Sequence, residues 1–163
     1  MQVSSGYAIR NGFVKDRNGH PLEISKYEDK SSIDVTIGEV ISHKSRYCTR
    51  SSDSFYSVEP QETVYIISNE VLDIPADHVA YVFLKNRLSQ KGILAFNTGI
   101  IDGGYKGVIS TLITNLSMKN IELDDKDKPF FRVVFHKVSM TDEEKEKAIR
   151  SMNDRENTTL EKY

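Results

Sequence analysis

Between Ser32 and about Val138 the chain is written in short β-branched or aromatic runs separated by polar turn residues. Examples are Ile33 to Ile37, Val64 to Ile67, Val79 to Leu84, Val108 to Thr114 and Phe130 to Phe135. Runs of this length and composition predict strands, because branched and aromatic side chains pack well on a pleated, half-buried surface. Almost no helical period lies between them, so the pattern predicts an all-β fold: an antiparallel jelly roll or distorted barrel. The ends differ. Residues 1–30 are polar and mixed, with room for one short helix or hairpin. Thr141-Asp142-Glu143-Glu144 has the form of a capping box, followed by the i,i+4 pairs Glu143 with Lys147 and Glu146 with Arg150. With Ala148, Ile149 and Met152 as its apolar residues, this stretch predicts a C-terminal surface helix that frays from Asn153 onward. The division expected is a domain over residues 1–140 and a charged helix and tail over 141–163.

The chain's 163 residues suffice for one hydrophobic core. Its formal net charge of -2 gives no global field for nucleic acid or a membrane surface, so neither is an expected partner. No apolar run approaches the roughly 20 residues that span a bilayer. The start of the chain lacks a signal-peptide pattern, and the single cysteine, Cys48, forms no intrachain disulfide. A cytoplasmic protein is expected. Cys48 has no visible catalytic partner, and the tyrosines at 7, 27, 47 and 56 suit strand packing or subunit contacts. Basic and aromatic residues interleave around Lys44 to Arg50, without the charge excess of a nucleic-acid groove. Histidines 20, 43, 78 and 136 have no ligand spacing, so no metal site is expected among them.

The chemistry concentrates between Leu84 and Gly107. A polar, cationic loop or helical turn (Lys85, Asn86, Arg87, Lys91) precedes a strand, then a tight turn with glycines at 103, 104 and 107. Glycine permits positive φ and close approach of a ligand to the backbone. Asp102 and Tyr105 flank the turn with a carboxylate and a flat ring, and Lys106 adds a cation able to meet phosphate. These parts can build a base, sugar and phosphate site; they can equally form a plain hairpin beside solvated surface cations.

The order Leu88 to Ile93, Asn97 to Asp102, Gly104 to Gly107 and Val108 to Asn115 resembles the central signature of the trimeric dUTPase and dCTP deaminase superfamily. Ser31 to Gly38 resembles its first motif, Val71 to Ala80 the run before its second, and Asp127 to Phe135 stands in place of its fourth. The resemblance implies a homotrimer with a nucleotide at subunit interfaces. Asp102 then orients an attacking water and takes its proton. Tyr105 lies under the deoxyribose, backbone groups at Asn97, Thr98 and Gly99 read the base edge, and Lys85, Asn86, Arg87, Lys106 and Arg132 meet phosphates. If the protein is a dUTPase, magnesium comes held mainly by the triphosphate.

This sequence also departs from the pattern. Lys85-Asn86-Arg87 replaces the Arg-Ser-small second motif; Asp127 and Arg132 replace the Gly and Gln of the fourth. Leu112, which cannot move a proton, stands where a deaminase carries its glutamate. The glycine-rich fifth motif, whose closure fixes the triphosphate, is missing. The expectation is a nucleotide-binding protein with impaired or no standard catalysis, in a sequestering or sensing role of the kind a phage-encoded protein would play. The alternative is a magnesium-dependent dUTP pyrophosphatase using Asp102.

Overall fold

A computed structural model describes residues 1–42, 46–48, 56–123 and 129–160, with only the backbone course at 46–48 and 154–160. His43, Asp127 and the side chains of Lys44 to Arg50, Cys48 included, lie outside the described residues. In chain order the elements are β1 (Gln2–Val3), α1 (Ser5–Arg10), β2 (Val14–Lys15), a 3-10 turn at Ile24–Lys26, β3 (Ile33–Ile41), β4 (Arg46–Cys48), β5 (Tyr56–Val58), β6 (Thr63–Asp73), β7 (His78–Leu84), α2 (Asn86–Lys91), β8 (Ile93–Ala95), β9 (Ile100–Ile101), β10 (Lys106–Asn115), β11 (Ile121–Leu123), β12 (Pro129–Lys137) and α3 (Asp142–Leu160). The fold is mostly strand, as the patterning predicts. Its main sheet is a curled antiparallel half-barrel in the order β8-β10-β6-β3-β12-β7-β9, with β1, β2 and β4 added on β12, β6 and β3, and β11 with β5 as a separate pair.

The long strands alternate as a half-buried sheet requires. Along β6, Val64, Ile66, Ser68, Glu70 and Leu72 point inward, while Thr63 and Tyr65 face out. The apolar residues of this row share one buried core with Ile113 of β10 and Ile33, Val35, Phe130, Phe131 and Phe135 of β3 and β12. Ser68 and Glu70 are the exceptions in this row, and a buried polar group is tolerated only when hydrogen-bonded.

Their partners lie at the bend of β3. The first half of this strand pairs with β12 (Ile33 opposite Val133, Val35 opposite Phe131), and the second half with β6 (Val40 opposite Ile66). The register slips between Ile37 and Glu39, and β10 slips similarly between Val108 and Ser110. Such slips take backbone groups out of the ladder. Here Thr36 donates its backbone N–H (2.8 Å) and its hydroxyl (2.9 Å) to the Glu70 carboxylate. The Ile109 N–H donates to Ser68 Oγ at 2.9 Å, and Arg17 donates to the Ser68 carbonyl at 2.7 Å. Gly38 sits against the same segment: a Cβ there would come within 2.8 Å of the Ser68 carbonyl oxygen. The bend therefore requires both a missing side chain and inward polar groups.

The ends follow the sequence in part. α1 is capped by the Ser4 hydroxyl, which accepts from Tyr7 N–H at 3.2 Å, and Phe13 beyond it packs edge-on against Tyr7, His78 and Phe135. The expected capping box is present: Glu144 N–H donates to Thr141 Oγ1 at 3.2 Å and Thr141 N–H to the Glu144 carboxylate at 2.7 Å. Both i,i+4 ion pairs also form. The fraying expected at Asn153 does not occur, since α3 continues to Leu160; no Gly or Pro between 141 and 163 interrupts it.

Burial pushes the Glu70 carboxyl above its usual range, against the hydrogen bonds from Thr36 and the charge of Arg17. A carboxyl raised in the folded state contributes stability that is fully present below the unfolded value of about 4.3 and is lost as pH rises through the folded value. The difference in unfolding free energy between wild type and Glu70→Gln should therefore move against wild type over that window, as read by denaturant titrations at stepped pH. Parallel pH profiles would show that Glu70 ionises as it does in the unfolded chain.

Candidate functional site

The turn at Asp102–Tyr105 is zipped onto the end of β6. Gly104 N–H donates to the Ile74 carbonyl at 2.7 Å, and Ile74 N–H to the Tyr105 carbonyl at 2.9 Å. Gly103 is required by this docking, because a Cβ there would lie 2.5 and 2.6 Å from the carbonyl oxygens of Ala76 and His78. Gly104 adopts φ +86 and Asn97, at the other end of the loop, φ 44; glycine and asparagine tolerate this region best. Part of the backbone closeness that the glycines permit is thus used inside the chain.

Between this turn, the Asn97–Thr98 loop and β10 lies a cavity of about 810 Å³, within the range of small-molecule sites. Its walls mix apolar groups (Ile100, Ile101, Val108, Ile109) with the polar Asn97, Thr98, Asp102, Ser110 and Thr111, and Tyr105 and Lys106 stand at the turn. Asp102 is exposed and has no side-chain hydrogen bond or ion pair among the described residues. Burial, with Tyr65 nearby, pushes the Tyr105 phenol up, so it stays a neutral donor at neutral pH; it donates to the Val108 carbonyl. Lys106 lies 3.7 Å from Asp73, which Lys15 also approaches at 3.6 Å. Gly99 bonds outward, its carbonyl accepting from Val82 N–H.

The other candidates gather elsewhere. Lys85, Asn86, Arg87 and Arg132 do not line the cavity. Arg132 is exposed on β12, in register with Asp34 of β3 on one side and Phe83 of β7 on the other. Lys85 reaches the same place, its Nζ 2.8 Å from Asp34 Oδ1. Arg87 donates to the Pro129 carbonyl at 2.7 Å, and Asn86 is exposed at the first turn of α2. With Lys106, three of the cations read from the sequence as phosphate ligands therefore have partners within the chain.

Sequence reasoning gave no site role to the apolar lining residues Ile100, Ile101, Val108 and Ile109, nor to Ser110, Thr111 and Met152. Ser110 and Thr111 follow the turn on β10, and a polar pair set between apolar pairs could have suggested them. Met152 reaches the cavity from α3, with no local signal. Leu112 is exposed on β10 opposite Tyr65 of β6, and its carbonyl accepts from Phe96 N–H, so an apolar row of Phe96, Leu112 and Tyr65 crosses the sheet. Among the described residues no group of three or more His, Cys, Asp or Glu could hold a metal, and no helix is long and apolar enough to cross a membrane.

The curled antiparallel half-barrel is of the dUTPase-like class of folds. The chain belongs to the dCTP deaminase-like family, whose profile matches residues 14–138. Solved structures agree on the fold. EIAV dUTPase is 18% identical at a TM-score of 0.51, over 86% of this chain and 89% of that one. The 2′-deoxycytidine 5′-triphosphate deaminase from Agrobacterium tumefaciens is 13% identical at a TM-score of 0.65, over 82% of this chain but 48% of that one. A mutant dUTPase from phage phi11 of S. aureus, described for its coordination of a structural Mg(II) ion, is 15% identical at a TM-score of 0.51, over 71% and 82%. At these identities the likeness is one of fold.

The side chains of Lys85 and Asp34 are 18% and 23% exposed, between the regimes of surface and buried pairs. Lys85→Met should cost about 1–2 kcal/mol of stability, and adding Asp34→Asn should recover most of it. No loss in Lys85→Met, or losses of the two single variants that simply add in the double variant, would show that the pair contributes nothing.

Proposed function

We propose that the protein binds a nucleotide at the joints of a homotrimer and has impaired or no standard catalysis, acting as a sequestering or sensing protein of the cytoplasm. Residues 1–140 form the binding domain and 141–163 its charged appendage. The observation that carries this reading is a retained cavity beside a disabled deaminase position. The glycine turn presents Asp102, Tyr105 and Lys106 to an 810 Å³ space, while Leu112 sits in the apolar row with Tyr65 and Phe96. A leucine there can neither deliver nor accept the proton that attack of water on a pyrimidine ring requires.

The separation of the candidates supports the trimer. Within one chain the cavity half holds the turn, with Asn97, Thr98 and Gly99 at its loop, and the cation half holds Lys85, Asn86, Arg87 and Arg132. A closed cyclic assembly can bring one chain's turn to another's cations in three equivalent sites. Phosphate binding to the cation half then draws chiefly on Arg132, since Lys85 is shared with Asp34 and Arg87 with Pro129. That sharing weakens the grip that fixes a triphosphate for reaction.

One observation favours the pyrophosphatase reading: the Asp102 carboxylate lines the cavity without a side-chain partner among the described residues, as a group that positions water would. Asp102 would accept the proton of the water as its oxygen attacks the α-phosphorus, whose bond to the α,β-bridging oxygen breaks so that pyrophosphate leaves and the nucleoside monophosphate remains. A protein-held magnesium cage does not fit, because Asp102 is the one carboxylate among the described lining residues; magnesium fits as an ion carried by the triphosphate.

The deciding assay measures dUTP binding and pyrophosphate release with magnesium on wild type and Asp102→Asn, with ammonia release from dCTP alongside. The expected result is binding by both proteins without turnover of either nucleotide, the asparagine variant binding equally or more tightly because a negative charge near phosphate is gone. Fast wild-type release cut by orders of magnitude in Asp102→Asn would establish the enzyme instead.

A further inference from the structure

We propose that α3 is a plug for the hairpin cavity: Met152 occupies the face of Gly104 that a nucleotide must reach, so helix docking and nucleotide binding exclude one another. This rests on the nucleotide-binding reading above. Met152 Cγ and Sδ lie 2.3 and 2.7 Å from where a Cβ on Gly104 would stand, closer than any side chain at that position would allow. The thioether thus rests directly on the turn backbone, and Met152 is itself part of the cavity wall.

Through its described residues, 142–153, the rest of α3 touches the body sparingly. Among residues 142–153 only Ala148 and Met152 are partly shielded, and Ile149 is exposed. Lys145, Ala148 and Met152 follow the i, i+3, i+7 spacing of one helix face. Lys145 tethers the near end of that face, its Nζ 3.0 Å from Asp77 Oδ2, while Asp77 Oδ1 meets His78 Nδ1 at 2.9 Å. The Asp77 carbonyl also accepts from Val138 N–H at 2.8 Å, just before the helix begins. Among the described residues, the docked face is therefore held by one half-exposed ion pair at one end and one methionine at the other.

The same geometry decides which partner yields. The turn cannot withdraw, because Gly104 and Tyr105 are bonded to Ile74 and Gly103 is pressed on the carbonyls of Ala76 and His78. The helix can, because its capping box and its two i,i+4 pairs lie within its own span and survive undocking. A weakly docked element whose release opens a site lowers apparent affinity by the fraction of molecules in the open state.

Amide hydrogen exchange on the full chain tests this, with magnesium-dUTP and dCTP as probes, on wild type, Met152→Ala and Lys145→Ala. Nucleotide should slow exchange across 97–106 and speed it across 142–153 in wild type. Both variants should speed exchange at 142–153 without ligand and bind nucleotide about three- to tenfold more tightly. Protection at 97–106 with unchanged or slower exchange at 142–153, or unaltered affinity in both variants, would overturn the plug and leave the nucleotide-binding reading standing. No protection at 97–106 in wild type or either variant would overturn the nucleotide-binding reading and the plug with it.

Discussion

The buried polar stitch at the bend of β3 is the contact on which the rest of the molecule depends. A sheet that curls into a half-barrel must pass a strand from one neighbour to another, and at that crossing ladder hydrogen bonds are lost. Ser68 and Glu70 replace them from inward positions of β6, accepting from Ile109 and Thr36. An unsatisfied buried donor costs about 1–3 kcal/mol, so an apolar residue at either position would leave the curl short of partners. Gly38 completes the arrangement by letting β3 close on the Ser68 carbonyl.

This crossing also sets the geometry of function. The Ile109 N–H bond to Ser68 fixes the slip in β10 beside which Val108, Ser110 and Thr111 form the cavity wall. On the other side of the bend, Thr36 is two residues from Asp34, the partner of Lys85 and the register neighbour of Arg132. The curl thus carries the turn and the cations to different parts of one chain. A site that uses both needs a second chain, and the proposed trimer supplies it. Within that account the hairpin retains the means to hold a nucleotide, while Leu112 and the intrachain commitments of Lys85 and Arg87 remove means to transform it.

The fold was largely legible, because branched and aromatic runs such as Val79 to Leu84 alternate as half-buried strands must. Ser68 and Glu70 were not: in sequence a polar residue within a strand reads as outward-facing, whereas the unbroken alternation of β6 points both inward, where the slips of β3 and β10 supply their donors. The glycine turn was legible as a turn, but spacing does not reveal that Gly103 serves docking onto Ala76 and His78. Lys85 and Arg87 read as free cations because their partners, Asp34 and Pro129, are distant in sequence, 51 and 42 residues away. Met152 gave no signal in its own neighbourhood. The reach of α3 to Leu160 was underestimated because its last turns lack an apolar stripe, although nothing in them breaks a helix.

The central claim is that one nucleotide site takes its turn from one chain and its cations from another. Chains carrying Tyr105→Ala lack a working turn, and chains carrying Arg132→Ala lack the candidate cation that is unpaired among the described residues; each population alone should bind dUTP poorly. Unfolded together in equal amounts and refolded, they should regain about one quarter of the wild-type sites, the share of joints in a random cyclic trimer that unite two intact halves. A mixture that binds no better than the separate variants would contradict the account.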